Sequence, residues 1–278
     1  MSYSNRRISS AFKDAPSISL LDHPKIVIMS DCHRGNGTWA DSFINNEPLY
    51  TAALKYYDQN GYTYIELGDG DELWENRKFS DVYQIHKEIY KIFLDLDSKG
   101  RLYIIFGNHD RIKENSGYIS NVLNVSIPFY ESIIIESPTT KPLYLFHGYQ
   151  GDFLNDNLWK LSRFLVRYLW KHLELTGVKD PTSAAKNYTK LRKTEERFID
   201  YSCANSCTII AGHTHRPCIT KTNCGMYINS GSCVHPNSVT AVEIENSLAT
   251  LCKWSTCAND DMSLYVCKEI IAGPTKLY

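Results

Sequence analysis

Five short apolar runs in this chain each stop at a residue able to hold a cation, and no other feature restricts the fold as much. The runs are "KIVIMS" (25–30), "YTYIEL" (62–67), "RLYIIF" (101–106), "PLYLF" (142–146) and "CTIIA" (207–211). Their length and their β-branched and aromatic content read as buried strands. Just past their ends stand Asp31 and His33 in "SDCHRG", Asp69 in "LGDGDELWE", and Asn108, His109 and Asp110 in "FGNHDR". His147 follows in "FHGYQGD", then His213 and His215 in "AGHTHRP". A lone histidine pair is usually incidental. Five strand ends in succession place oxygen and nitrogen donors along the carboxyl edge of a sheet, where open α/β sheets bind ligands.

The segments between support that layout. A helix is expected near 47–60, closed by Gly61. Another is expected over 81–100, where Val82, Ile85, Ile89, Ile92, Phe93 and Leu96 have helical spacing and Gly100 is the stop. "SIIIE" (132–136) and "PLYLF" suggest a strand pair, and the tail after residue 225 is strand-rich. The first half is βαβα and the last part antiparallel, which gives an α/β fold with two mixed sheets packed between helical layers. At 278 residues and 43% hydrophobic, the chain is expected to form one domain, 1–278, with a helical cap insert over 152–205.

Composition excludes little more. Net charge is −1, so no overall field points to nucleic acid or membrane. No apolar run reaches the ~20 residues that span a bilayer. The N-terminal stretch lacks the apolar core of a signal peptide, so a cytoplasmic protein is expected. Nine cysteines are present, eight of them between Cys203 and Cys267. The odd count and the expected compartment favour reduced cysteine, buried as a small hydrophobe, over a disulfide framework. Cys203/Cys207 and Cys252/Cys257 do not have the usual spacing of zinc pairs.

Asp31, His33, Asp69, Asn108, His147, His213 and His215 offer enough mixed donors for two divalent metals, without the thiolates of a structural zinc site. A carboxylate such as Asp69 can bridge two ions. Two ions ~3.5–4 Å apart can activate a bridging water and clamp an in-line phosphoryl displacement.

In order and wording, "DCH", "GDGDE", "GNHD", "HG" and "GHTH" resemble the calcineurin-like metallophosphoesterase superfamily over residues 25 to about 235. The resemblance implies a four-layer sandwich around a dimetal centre. It implies Asp31, His33 and His215 as ligands of one ion, Asn108, His147 and His213 as ligands of the other, and Asp69 as the bridge. Manganese is the first expectation, with iron, zinc or cobalt compatible with the donors. Within the superfamily, "LGDGDELWE" and "GHTHRPCI…YINSGS" look like the UDP-2,3-diacylglucosamine hydrolase branch. The chain departs from it at His109, where arginine is usual, and at "HGYQGD", where "HGD" is usual.

His109 is expected to protonate the leaving alkoxide or to stabilise phosphoryl charge, with Glu72 orienting it. Arg34 and Arg216 flank ligands and either contact phosphate oxygens or form surface salt bridges. Asp110 and Asp152 are expected to support ligands or turns, and Asp71 to be solvated.

Within the insert, Lys160 to Arg197 carries ten Lys or Arg against four Asp or Glu. A basic helical cap of this kind would meet an anionic phosphoester substrate, rest as a solvated face, or touch a membrane surface. Arg163 and Arg167, four apart on one helix face, are the residues expected to meet the substrate. The leading reading is a metal-dependent phosphoester hydrolase. A phosphodiesterase or nuclease and a non-catalytic protein-binding scaffold are the alternatives.

Overall fold

Alternation along the first strand sets the layering. In β2 (Lys25–Met29), Ile26 and Ile28 point into one apolar cluster and Val27 and Met29 into another. A strand with both faces apolar needs a layer on each side. The computed structural model describes residues 3–115, 117–152, 156, 163–170 and 188–277.

Two sheets form. The first contains β1 (Ser17–Ser19), β6 (Ser132–Glu136), β7 (Leu143–Phe146), β8 (Thr208–Ala211), β9 (Cys218–Lys221) and β10 (Met226–Asn229), in the order β1-β6-β7-β8-β10-β9. The second adds β3 (Thr63–Leu67), β4 (Leu102–Ile105), β5 (Phe129–Tyr130), β11 (Ser238–Glu245), β12 (Leu248–Ala258) and β13 (Leu264–Lys276), in the order β13-β12-β11-β2-β3-β4-β5. β2 to β5 are parallel, β11 to β13 antiparallel, and β6 and β7 pair antiparallel. Between the sheets lie Ile26, Ile28, Ile65, Ile105, Leu145, Ile210 and Val242.

Outside the seven-stranded sheet, α2 (Glu47–Gln59) and α4 (Lys87–Ser98) bury Leu54, Tyr57 and Phe93 against Val27, Tyr64 and Leu102. Outside the other sheet, α1 (Tyr3–Ala11) and the helix Tyr188–Asn205 bury Ile8, Phe198 and Tyr201 against Phe146, Ile209 and Tyr227. The four-layer α/β sandwich expected from sequence is the fold.

Two expectations are corrected, one helix and the state of the cysteines. The helix read over 81–100 is two, α3 (Phe79–Ile85) and α4, broken at His86. The fully buried His86 ring turns inward, Nε2 lying 3.1 Å from the Gly35 carbonyl and Nδ1 3.1 Å from Glu47 Oε2. Much of the insert, 153–155, 157–162 and 171–187, lies outside the described residues, but its last part is the helix Tyr188–Asn205. That helix packs on β8 and β10 as part of the sandwich. Four cysteines are paired, as Cys203–Cys224 and Cys257–Cys267. Neighbouring elements bring their Cα atoms to 4.7 and 5.9 Å, within disulfide reach. Cys32, Cys207, Cys233 and Cys252 are free and buried as expected, and Cys218 is free and half-buried. Among the described residues, no helix is long and apolar enough to cross a membrane.

Candidate metal centre

Parallel strands that all run the same way end at the same edge. β2, β3 and β4 deliver Asp31, Asp69 and Asn108 within three residues of their last position, and β7 and β8 deliver His147 and His213 from the other sheet. The loops interlock across that edge. Asp31 N donates to Gly68 O at 3.0 Å, His33 N to Asp69 O at 2.9 Å, and Gly212 N to His147 O at 2.9 Å.

Six of the seven candidate ligands and His109 converge, and Asn108 stands next to His109 in the turn after β4. Asp31, His33 and His215 bring ligand atoms within 4.8 Å of one another, as do Asp69, His147 and His213, and also His33, Asp69 and His109. Asp69 belongs to two of these groups: its Oδ2 lies 3.1 Å from His147 Nε2 and 3.9 Å from His33 Nε2. Its Oδ1 accepts from the His109 backbone N–H at 2.8 Å. His147 Nδ1 sits 2.9 Å from the Leu67 carbonyl, which fixes the donor and aims Nε2 at the cluster.

The residues fit a pair of divalent cations on two observations. Asp31 Oδ1, His33 Nε2, Asn108 Oδ1 and His147 Nε2 are buried and make no hydrogen bond of good geometry, although His215 Nε2 approaches the first to 3.0 Å and Asp69 Oδ2 the last to 3.1 Å. An unsatisfied buried polar atom costs about 1–3 kcal/mol, so four of them on the loops leaving these strands call for a counterpart. In addition, Asp31, His33, Asp69, His213 and His215 have φ of 54°, 49°, 50°, 67° and 55°. Left-handed backbone in a residue other than glycine costs on the order of 1–2 kcal/mol, and such strain gathers at functional sites.

Glycine allows the approach. A Cβ on Gly107 would lie 2.5 Å from the Asp69 nitrogen, and one on Gly212 would lie 2.5 Å from Ser30 Oγ. Gly68 has φ of 88° and passes directly beside the His147 ring.

Electrostatics follow from burial against neighbouring charge. Burial alone would raise the Asp31 and Asp69 carboxyls, but the surrounding histidines hold both well below the usual carboxylate range. Burial disfavours a charged His109, yet Glu72 and Asp69 carry its pKa up to about 10. His147 rises to about 9 against burial through Asp69 and Asp31, while burial and the nearby His147 lower His213 to about 4.

Glu72 Oε2 lies 2.7 Å from His109 Nδ1 and 3.0 Å from His33 Nδ1, so one carboxylate addresses both rings. Trp74 stacks on the face of the His109 ring at 4.0 Å and 19°.

Arg34 is fully buried, bidentate on Glu66 at 2.7 and 2.9 Å and bonded to Asp71 at 2.7 Å. It contacts neither solvent nor substrate, and Asp71 is not solvated. Lys113, also buried, binds Asp71 at 2.8 Å and Asp110 at 2.6 Å. Asp110 serves the turn, accepting from Gly107 N at 2.6 Å and Gly70 N at 3.1 Å. Arg216 pairs with Glu195 at 3.0 Å, and Asp152 is buried next to the loop that carries His147.

Sequence reasoning missed Trp74, Lys113, Ser30 and Asn229. Ser30 Oγ donates to Asp31 Oδ2, and Asn229 Nδ2 holds the Gly212 carbonyl at 2.8 Å. The "NSGS" run that begins at the last residue of β10 is the one signal that marked Asn229.

Residues 24–217 match the family model of calcineurin-like phosphoesterases. No curated protein matches the chain. Among solved structures, the chain is similar to YfcE, a phosphoesterase from E. coli, at 13% identity over 89% of this chain and 100% of that one, with a TM-score of 0.42. It is similar to Vps29 of Chaetomium thermophilum at 10% identity over 90% and 96%, TM-score 0.43. It is also similar to zinc-complexed Vps29 of Entamoeba histolytica at 16% identity over 88% and 98%, TM-score 0.40. At such low scores none of these likenesses says what this chain does.

Proposed function

The chain belongs to the calcineurin-like phosphoesterase family, and from that premise we propose that it is a metal-dependent hydrolase of phosphomonoesters or phosphodiesters. The observation that carries the reading is the clustering of Asp31, His33 and His215 and of Asp69, His147 and His213 at one edge of the two sheets, where buried Asp31, His33, Asn108 and His147 atoms lack a hydrogen bond of good geometry. Asp31, His33 and His215 would hold one divalent cation, Asn108, His147 and His213 the other, and Asp69 would lie between. Bound there, two cations would supply Lewis-acid charge to the phosphoryl oxygens and acidify water.

The chain's own residues do the rest. The His109 ring, held between Glu72 and Trp74, donates a proton to the departing oxygen or steadies equatorial phosphoryl charge. Glu72 keeps the proton on Nδ1 and orients the ring. The motif wording supports kinship with the UDP-2,3-diacylglucosamine hydrolase branch as a structural relative, with no lipid substrate proposed. A basic cap over 152–205 remains the proposed meeting place for a larger anionic substrate, and manganese the proposed metal.

The test is parallel hydrolysis of an aryl phosphomonoester and a bis-aryl phosphodiester with added manganese, with elemental analysis of the same sample. Two metals per chain and turnover of at least one ester are expected. A folded chain that binds metal yet cleaves neither ester would overturn the enzymatic reading and favour a scaffold.

A further inference from the structure

Arg167 is expected from sequence to face substrate, but the structure turns it onto the protein. Its Nε donates to the Trp74 carbonyl at 2.8 Å and its Nη2 to the Leu73 carbonyl at 2.7 Å. Beside it, Arg77 Nη2 donates to the Tyr168 hydroxyl at 2.7 Å and the guanidinium lies 5.2 Å from that ring's centroid. The segment 163–170 is thus clasped to the loop after β3.

That loop holds His109. Glu72 Oε2 meets Nδ1 at 2.7 Å, and the Trp74 ring covers the imidazole at 4.0 Å. The turn is internally tied, since Glu72 Oε1 accepts from Trp74 N at 3.2 Å and Glu75 N at 3.3 Å. Trp74 Nε1 is buried without a hydrogen-bond partner, so no polar anchor of its own fixes the ring. Its orientation depends on the backbone that carries it. A planar guanidinium donating to two successive carbonyls fixes both peptide planes at once, which a point charge cannot do. Burial, with Arg163 and Arg77 nearby, disfavours the charge on Arg167, so the two carbonyls are what retain the guanidinium there.

We propose that Arg167 is a positioning residue for His109: it locks the Leu73–Trp74 turn from outside and so keeps the imidazole pinned between the Glu72 carboxylate and the Trp74 ring. The consequence for catalysis rests on His109 acting in the hydrolysis proposed above; the structural consequence does not. It also ties the basic insert to the site through main-chain carbonyls, independently of any contact with substrate.

The test uses full-length, histidine-labelled protein and the variants Arg167→Met and Arg167→Lys. In metal-free wild type, the His109 Cε1–H resonance, assigned with His109→Gln, carries the ring-current shift of the stacked indole. In Arg167→Met that shift should collapse, with melting temperature and metal uptake near wild type. Turnover of phenyl phosphate should fall by roughly tenfold or more, as for a misplaced proton donor, while p-nitrophenyl phosphate and both KM values change little. Arg167→Lys reaches one carbonyl at a time, should displace the resonance part-way, and decides the matter if the methionine variant does not fold. An unmoved His109 resonance in the folded variants overturns the proposal, as does a rise in KM alone, which would assign Arg167 to substrate. If wild type cleaves neither these monoesters nor the bis-aryl diester, the hydrolase reading fails and the resonance alone decides the positioning role.

Discussion

Asp69 stands between the two proposed cation groups, its Oδ2 lying 3.1 Å from His147 Nε2 and 3.9 Å from His33 Nε2. Asp69→Asn removes the negative charge that would hold two cations close. Metal content is expected to fall below two per chain by elemental analysis, with turnover nearly abolished. His109→Ala removes no expected ligand, so both metals should stay while turnover falls by roughly 10²–10⁴. The loss should be largest for esters with high-pKa leaving groups, read from a leaving-group series. A uniform loss across the series would make His109 a stabiliser of phosphoryl charge. At this scale the sequence displayed the candidate ligands plainly, because imidazole and carboxylate stand out at the end of an apolar run. It hid Trp74 and Ser30, whose parts depend on what folds against them, and it misplaced Arg34 and Asp71. Charged residues are ordinarily at the surface, and here opposite charges from three separated segments meet in the interior.

The elements that matter are the turns leaving the strands. The turn after β4 passes so close to the turn after β3 that Gly107 has no room for a side chain. Gly107→Ala should therefore push Asp69 away and weaken metal binding by at least tenfold in calorimetric titration, with the sheets intact by circular dichroism. Tight metal binding in that variant would show that the turns move independently. Strand positions were readable because two-sided apolar runs have one solution, a layer on each face. The break between α3 and α4 was not, because periodicity continues across His86 while the buried polar contacts of its ring interrupt the helix.

Across the whole molecule, the buried cluster of Arg34, Glu66, Asp71, Asp110 and Lys113 joins the loops after β2, β3 and β4 behind the candidate centre. Burial would raise the Asp71 carboxyl, but Arg34 and Lys113 outweigh it and hold its pKa below the unfolded value of 3.8. Such a depressed carboxyl contributes its full stability above that value and loses it as pH falls through the folded one. Wild-type stability should accordingly decline below about pH 4. Asp71→Asn should flatten that acid limb and cost about 3–5 kcal/mol at neutral pH, the usual result of stripping one partner from a buried ion pair. Urea denaturation at several pH values checks both. An unchanged acid limb would move the pH dependence elsewhere.

The five left-handed residues at the rim place folding and function in opposition. His213 has φ of 67°, a conformation glycine adopts without strain, whereas His147 is not among the positive-φ residues. In chelator-treated protein, His213→Gly should melt no lower than wild type, and His147→Gly should melt lower, as seen by calorimetry. With metal present, the order should reverse for His213, because the imidazole then returns more than its backbone costs. A chain drifting without need of the metal would shed these residues toward glycine, asparagine and aspartate, gaining thermal resistance as it lost its chemistry.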